Sequence, residues 1–193
     1  MDTLIESLAG RFVSGLVKNQ RIAKEKESVY LYSAIVTIES VINIVSVLLM
    51  GLLFGRFFEN VCFFLVFKFL RKFSGGLHAS KFTTCYAISM ISNIAVMVLL
   101  NVMDVFSTYL LALIVEFIAL LFAVAFAPVA NKNKSISIKE HKVFKGIVSI
   151  TCVLLVISSL VLTKYNVEFV FSICLAMALN SLLILIEKIK IHI

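Results

Sequence analysis

Apolar residues run along this chain in blocks whose lengths are informative. Long runs with few charges fall at roughly 29–54, 83–103, 106–127, 146–163 and 167–187, each near the ~20 residues that an α-helix needs to cross a hydrocarbon core of ~30 Å. Lipid offers no water to backbone N–H and C=O groups, so such runs predict helices, which satisfy those groups internally. A further run at 57–70 is shorter, at ~21 Å for 1.5 Å per residue, and by length alone also suits a re-entrant segment. Basic residues decide between the two. If 57–70 crosses, the N-terminal segment and the 68–81 loop share one side with the 131–145 loop and the C-terminal end, and together they hold 16 of the 18 Lys and Arg. Only Arg56 and Lys164 then lie opposite. A bias of that size is the positive-inside pattern, and omitting the crossing would put basic loops on both faces. The expectation is an all-α, polytopic membrane bundle of about six transmembrane helices, with both termini in the cytoplasm.

Composition agrees with this picture: 61% of residues are hydrophobic, 17 are Phe, one is Pro, and the mean hydropathy is +1.07. The formal charge of +7 is accounted for by cytoplasmic loops, and no nucleic-acid partner is needed. Residues 1–28 spread five basic side chains among apolar ones, unlike a cleavable secretory signal, so a retained N-terminus is expected. Within them Leu4, Ile5, Leu8, Phe12 and Leu16 recur at helical spacing, which predicts an amphipathic helix in the inner interface. No repeat or linker divides the chain, so 1–193 reads as one domain, with an interfacial segment at 1–28 and a transmembrane bundle at 29–187. Three of the four Cys lie in strongly apolar runs, and all four read as free thiols.

The candidate chemistry lies in the basic interruption around residues 71–85. His78 and Cys85 stand seven residues apart there. A thiol is nucleophilic as its thiolate, and a neighbouring imidazole can act as the base that generates it. On one straight helix the two residues would share a face but lie ~10.5 Å apart, too far for direct proton transfer. Gly75 and Gly76 permit a fold-back, and Ser80 is an acceptable N-cap. Cys85 would then sit near a helix N-terminus, with Arg71, Lys72 and Lys81 adding positive potential. The pair could instead meet across a dimer interface, or His78 could be a solvated loop residue and Cys85 a packing thiol. Zinc fits less well, since neither Cys62 nor His141 completes a four-ligand site; no metal and no cofactor are expected.

The order Arg71-Lys-Phe-Ser-Gly75-Gly76-Leu-His78-Ala79, with Cys85 seven residues after the histidine, resembles the signature of the AgrB family. These are the accessory gene regulator protein B membrane endopeptidases of Gram-positive quorum sensing. A second segment, Ala127-Pro128-Val-Ala-Asn-Lys132-Asn-Lys134, resembles that family's Ala-Pro-x-x-x-Lys-x-Lys stretch, although Ser135 stands where the family often has Pro. The resemblance implies a membrane cysteine endopeptidase that cuts an AgrD-type propeptide and promotes its closure to a thiolactone or lactone. Carried onto this chain, Cys85 is the nucleophile and His78 the base. Arg71, Gly76, Lys132 and Lys134 become supporting or substrate-binding residues, with Gly76 near a backbone oxyanion donor. Arg71, Lys132 and Lys134 equally suit plain anchoring at the inner interface. The resemblance also implies a homodimer in the bacterial cell membrane, with its active site on the cytoplasmic side.

Glu39 and Glu116 fall inside predicted spans, where a carboxylate is costly enough to suggest a role. Asn43 and Ser46 continue a polar stripe from Glu39, and Ser89, Ser92 and Asn93 continue one from Cys85. The stripes could face each other and line a wet cavity, or serve only in interhelical hydrogen bonding. Glu116 has no such stripe and suits a protonated or dimer-interface carboxyl. The intramembrane polar groups also support an alternative function, a non-enzymatic transporter or exporter of a small peptide. A receptor's membrane half is disfavoured because no signalling domain follows Ile193.

Overall fold

The computed structural model describes residues 1–75, 82–103, 105–129 and 137–192. These form α1 (Asp2–Lys18), a 3-10 turn at Lys24–Lys26, α2 (Glu27–Leu53), α3 (Phe57–Ser74), α4 (Phe82–Val102), α5 (Val105–Phe126), α6 (Ile138–Leu162) and α7 (Val167–His192). The chain is a helical membrane bundle. Among the described residues five helices are long and apolar enough to span a bilayer: α2 with its preceding turn, α4, α5, α6 and α7.

The short sixth run is an unbroken helix of 18 residues, or ~27 Å, because Arg71 and Lys72 extend it past the apolar stretch. It is too charged to join the five by composition, yet it packs inside the bundle against α7, α2 and α6. Residues 54–56 turn the chain back from α2, and Asn60 on α3 donates to the Val47 carbonyl on α2 at 2.6 Å. Polar contacts mark the two ends. At one, Arg56 before α3 pairs with Glu168 at the start of α7 and meets Asn101 near the end of α4. At the other, Phe73 of α3 packs edge-on against Phe144 of α6, and Lys188 of α7 lies 3.7 Å over the Phe126 ring of α5. Successive helices α2 to α7 therefore alternate in direction, as six crossings require.

The most buried helix is α7. One apolar cluster joins Leu70, Ala119, Ala123, Val148, Met177 and Ile184; the other joins Phe63, Met97, Leu100, Ala112, Phe171 and Ala176. Alanines recur in both, as expected where helix association in lipid depends on close backbone approach. The same logic applies at Gly51, where a Cβ would stand 3.2 Å from the Phe57 Cα and 2.9 Å from Asn60 Nδ2.

Two sequence expectations about polar residues resolve here. Helices α2 and α4 are joined by a 2.7 Å hydrogen bond between Ser46 of the α2 stripe and Tyr86, which adjoins the Cys85 stripe without belonging to it. Deeper in, Asn93 donates to Asn60 at 2.7 Å, and both are buried. The contact is a packed hydrogen-bonded seam, closer to interhelical glue than to a water-filled passage. Glu116 is fully buried within the chain, where its Oε1 accepts from Ser159 of α6 at 3.0 Å and its Oε2 has no hydrogen-bond partner among the described residues. Helix α6 begins eight residues before its predicted span because Ser137 and Glu140 form a reciprocal capping box, which satisfies two orphan N–H groups. In α1, Ile5, Ala9 and Val13 are buried as the helix packs on α2, while Leu4, Leu8 and Phe12 stay exposed. The predicted apolar stripe thus divides, Ile5 turning inward, Leu16 half-buried, and Leu4, Leu8 and Phe12 outward, as an interfacial helix would present them to lipid.

Candidate functional site

The site is assembled at the end of the bundle where α3 and α5 stop and α4 begins. Helix α3 terminates because Gly75 takes φ 72° and ψ −146°, a region open only to glycine. A Cβ there would stand 2.2 Å from the Val129 carbonyl oxygen. Gly75 and Val129 form an isolated parallel β-bridge, and the Val129 N–H donates to the Ser74 carbonyl at 2.9 Å. Ser74, fully buried, donates its hydroxyl to Asn180 Oδ1 of α7 at 2.8 Å. The chain enters this bridge from α5 through a cis Ala127–Pro128 bond. The two sequence segments that looked like separate motifs are thus hydrogen-bonded neighbours, some fifty residues apart in the chain.

Arg71 lies in the last turn of α3 and donates to the Gly75 carbonyl, satisfying one of the acceptors that a helix leaves open at its C-terminus. Cys85 lies in the first turn of α4 and is half-buried with a free thiol. Arg71 and Glu39 both act electrostatically on Cys85, and they oppose each other in their effect on an ionised sulfur. Asp2 of α1 acts on Glu39 and also holds the start of α4. Its Oδ1 accepts the Thr83 N–H at 3.2 Å and the Thr83 hydroxyl, two residues before Cys85. Glu187 of α7, also buried, interacts with Arg71.

Of the residues singled out from sequence, Arg71, Cys85 and Glu39 converge here. His78, Gly76, Lys132 and Lys134 lie outside the described residues, as do Ser80, Lys81 and Ser135. Asp2, Ser74, Asn180 and Glu187 were not anticipated. Asn180 and Glu187 stand seven residues apart on one face of α7, a signal available in the sequence, whereas the contact of Asp2 with Thr83 has no local signature. Two of the other thiols differ from Cys85 in setting: Cys152 and Cys174 are buried inside the two apolar clusters, whereas Cys62 is half-buried like Cys85. Among the described residues no group of three or more His, Cys, Asp or Glu side chains is placed to hold a metal ion.

Fold and site together define a multi-pass helical membrane protein with a half-buried thiol, a cation and a glycine-dependent turn at one end of its bundle. The model of the family described as Accessory gene regulator B matches residues 9–184, and the chain belongs to the AgrB family. A protein of Clostridium perfringens (strain SM101 / Type A) named AgrB-like is 29% identical over 171 residues, covering 84% of this chain and 79% of its own. A second AgrB-like protein, from Clostridium perfringens (strain 13 / Type A), is 25% identical over 169 residues with the same coverage of each chain. No solved structure matches the chain. Membership ties the protein to peptide processing in agr quorum sensing.

Proposed function

We propose that this protein is a membrane cysteine endopeptidase that cleaves an AgrD-type propeptide and promotes its cyclisation to a thiolactone or lactone. The observation that carries the reading is the position of Cys85. It is half-buried in the first turn of α4, within electrostatic reach of Arg71, which stands three residues before the Ser74 carbonyl that bonds the second family motif segment. Cys85 attacks the scissile carbonyl while His78 takes the thiol proton, and His78 returns that proton to the leaving amine as the peptide bond breaks. The product of this half is a peptidyl thioester on Cys85. A Cys or Ser side chain of the bound peptide then attacks the thioester carbonyl, losing its proton to His78, and Cys85 departs as thiolate. Ring closure so conserves the acyl group that hydrolysis would release. Backbone N–H groups near Gly76 are the candidate oxyanion donors, and Lys132 and Lys134 the candidate dock for an acidic propeptide segment. The working protein is a homodimer in the bacterial cell membrane, with both termini and the site facing the cytoplasm.

The experiment is cleavage of an AgrD-type propeptide by protein reconstituted in vesicles. Cys85→Ala and His78→Ala each abolish cleavage with insertion intact, since neither adds a charge to the membrane. Cys62→Ala, Cys152→Ala and Cys174→Ala retain it. Normal cleavage by Cys85→Ala removes the proposal.

A further inference from the structure

The last turns of α7 run past the end of α3, and one face of α7 follows it closely. Asn180 accepts from Ser74, and Ile184 packs in the same buried cluster as Leu70. Glu187 continues that face, seven residues beyond Asn180 and three beyond Ile184. Glu187 is 5% exposed, and its Oε2 has no hydrogen-bond partner among the described residues. A carboxylate so deeply buried is costly unless an opposite charge compensates it. Among the described charges, Arg71 interacts electrostatically with Glu187.

Arg71 itself reaches beyond the end of its helix to the Gly75 carbonyl and acts on Cys85. The described charges acting on Cys85 are Arg71 on α3 and Glu39 on α2, with Asp2 on α1 acting in turn on Glu39. Glu187 on α7 acts on Arg71. A long cationic side chain at a helix end tends to extend toward water, so a guanidinium kept near a half-buried thiol gains from a buried counter-charge on a neighbouring helix. Glu187, on the face of α7 that follows the end of α3, is such a charge.

We propose that Glu187 is the positioning residue for Arg71: its buried carboxylate holds the guanidinium at the end of α3, between the Gly75 carbonyl and Cys85. This rests on the reading of Cys85 as the nucleophile, because the position of Arg71 matters to catalysis only through that sulfur. Removing the carboxylate frees Arg71 to swing toward solvent, and the sulfur loses the cation that favours its reactive, ionised form.

The test uses the full-length protein in lipid nanodiscs, with all four thiols present and iodoacetamide as the probe. Carbamidomethylation of Cys85 is followed by peptide mass spectrometry near neutral pH. Glu187→Gln slows alkylation of Cys85 by about three- to tenfold, since a unit shift in thiol ionisation is about tenfold in thiolate, and Glu187→Asp falls between Gln and wild type. In an Arg71→Gln background neither substitution has a further effect. Equal slowing with and without Arg71, or an unchanged rate in a monodisperse Glu187→Gln protein, overturns the proposal. If Glu187→Gln does not yield monodisperse protein, Glu187→Asp carries the same comparison, with Arg71-dependent slowing supporting the proposal and Arg71-independent slowing refuting it. Propeptide cleavage is read separately. Cleavage by Cys85→Ala would remove the peptidase reading, while the alkylation series would still decide whether Glu187 positions Arg71.

Discussion

Replacing Gly75 by Ala perturbs a backbone contact that joins the two motif segments, and its consequence can be worked from the geometry. The residue stands at φ 72° and ψ −146°, where an L side chain costs about 1–3 kcal/mol. The added Cβ would also lie 2.2 Å from the Val129 oxygen and 3.2 Å from its carbonyl carbon. Those are backbone atoms, so the bridge must separate. Separation breaks the hydrogen bond from the Val129 N–H to the Ser74 carbonyl, worth about 1 kcal/mol net. The sum is about 2–4 kcal/mol, which for a chain of this size lowers the thermal midpoint by roughly 5–15 °C. Because the bridge fixes the end of α3, processing should fall further than stability does. The assay is thermal unfolding in detergent beside propeptide cleavage below the midpoint. Gly10→Ala is the control: it lies within a helix with nothing within 4 Å of the new Cβ, and it should be neutral or slightly stabilising. A Gly75→Ala protein with wild-type midpoint and wild-type cleavage would refute the reasoning.

Three further predictions concern the bundle. Asn60→Leu strands the amide of Asn93 and the carbonyl of Val47 that it now bonds. It should cost about 1–3 kcal/mol and couple non-additively with Asn93→Leu in a double-mutant cycle read by thermal unfolding. A cysteine introduced by Ser135→Cys should escape a membrane-impermeant thiol reagent applied outside intact cells, and outside labelling would contradict a cytoplasmic active site. Mixing His78→Ala with Cys85→Ala protomers should not restore cleavage, as expected if each pair lies within one chain, whereas recovery would place the two residues across a dimer interface.

Hydropathy located the membrane helices because burial in lipid is a local property of sequence, read residue by residue. It fell short where helix length depends on other forces: α3 runs to Ser74 because charged helix formers carry it on, and α6 starts at Ile138 because of its capping box. The place of Cys85 in the first turn of its helix was legible from the glycines and polar residues before it. The bond between Ser74 and Val129 was not, because no local pattern announces a pairing of two loop ends. Nor was the partner of Glu116. A lone carboxylate in an apolar run looks unpaired until the helix carrying Ser159 is packed against it. Glu187 was passed over for a different reason, since next to Lys188 near the chain's end it resembles an interfacial charge, and only packing against α3 reveals it as buried.

The central claim is that Cys85 forms a covalent bond with the peptide it cleaves. Protein in lipid nanodiscs is incubated with an AgrD-type propeptide whose internal Cys or Ser is replaced by Ala, so that ring closure cannot discharge the intermediate. The mixture is quenched in acid and digested, and the Cys85 peptide is weighed. The account predicts a thioester adduct equal in mass to the N-terminal propeptide fragment less water, found on Cys85, absent from Cys62, Cys152 and Cys174, and lost in hydroxylamine. Release of the C-terminal fragment by wild-type protein with no adduct at Cys85, together with the same release by Cys85→Ala, would contradict it.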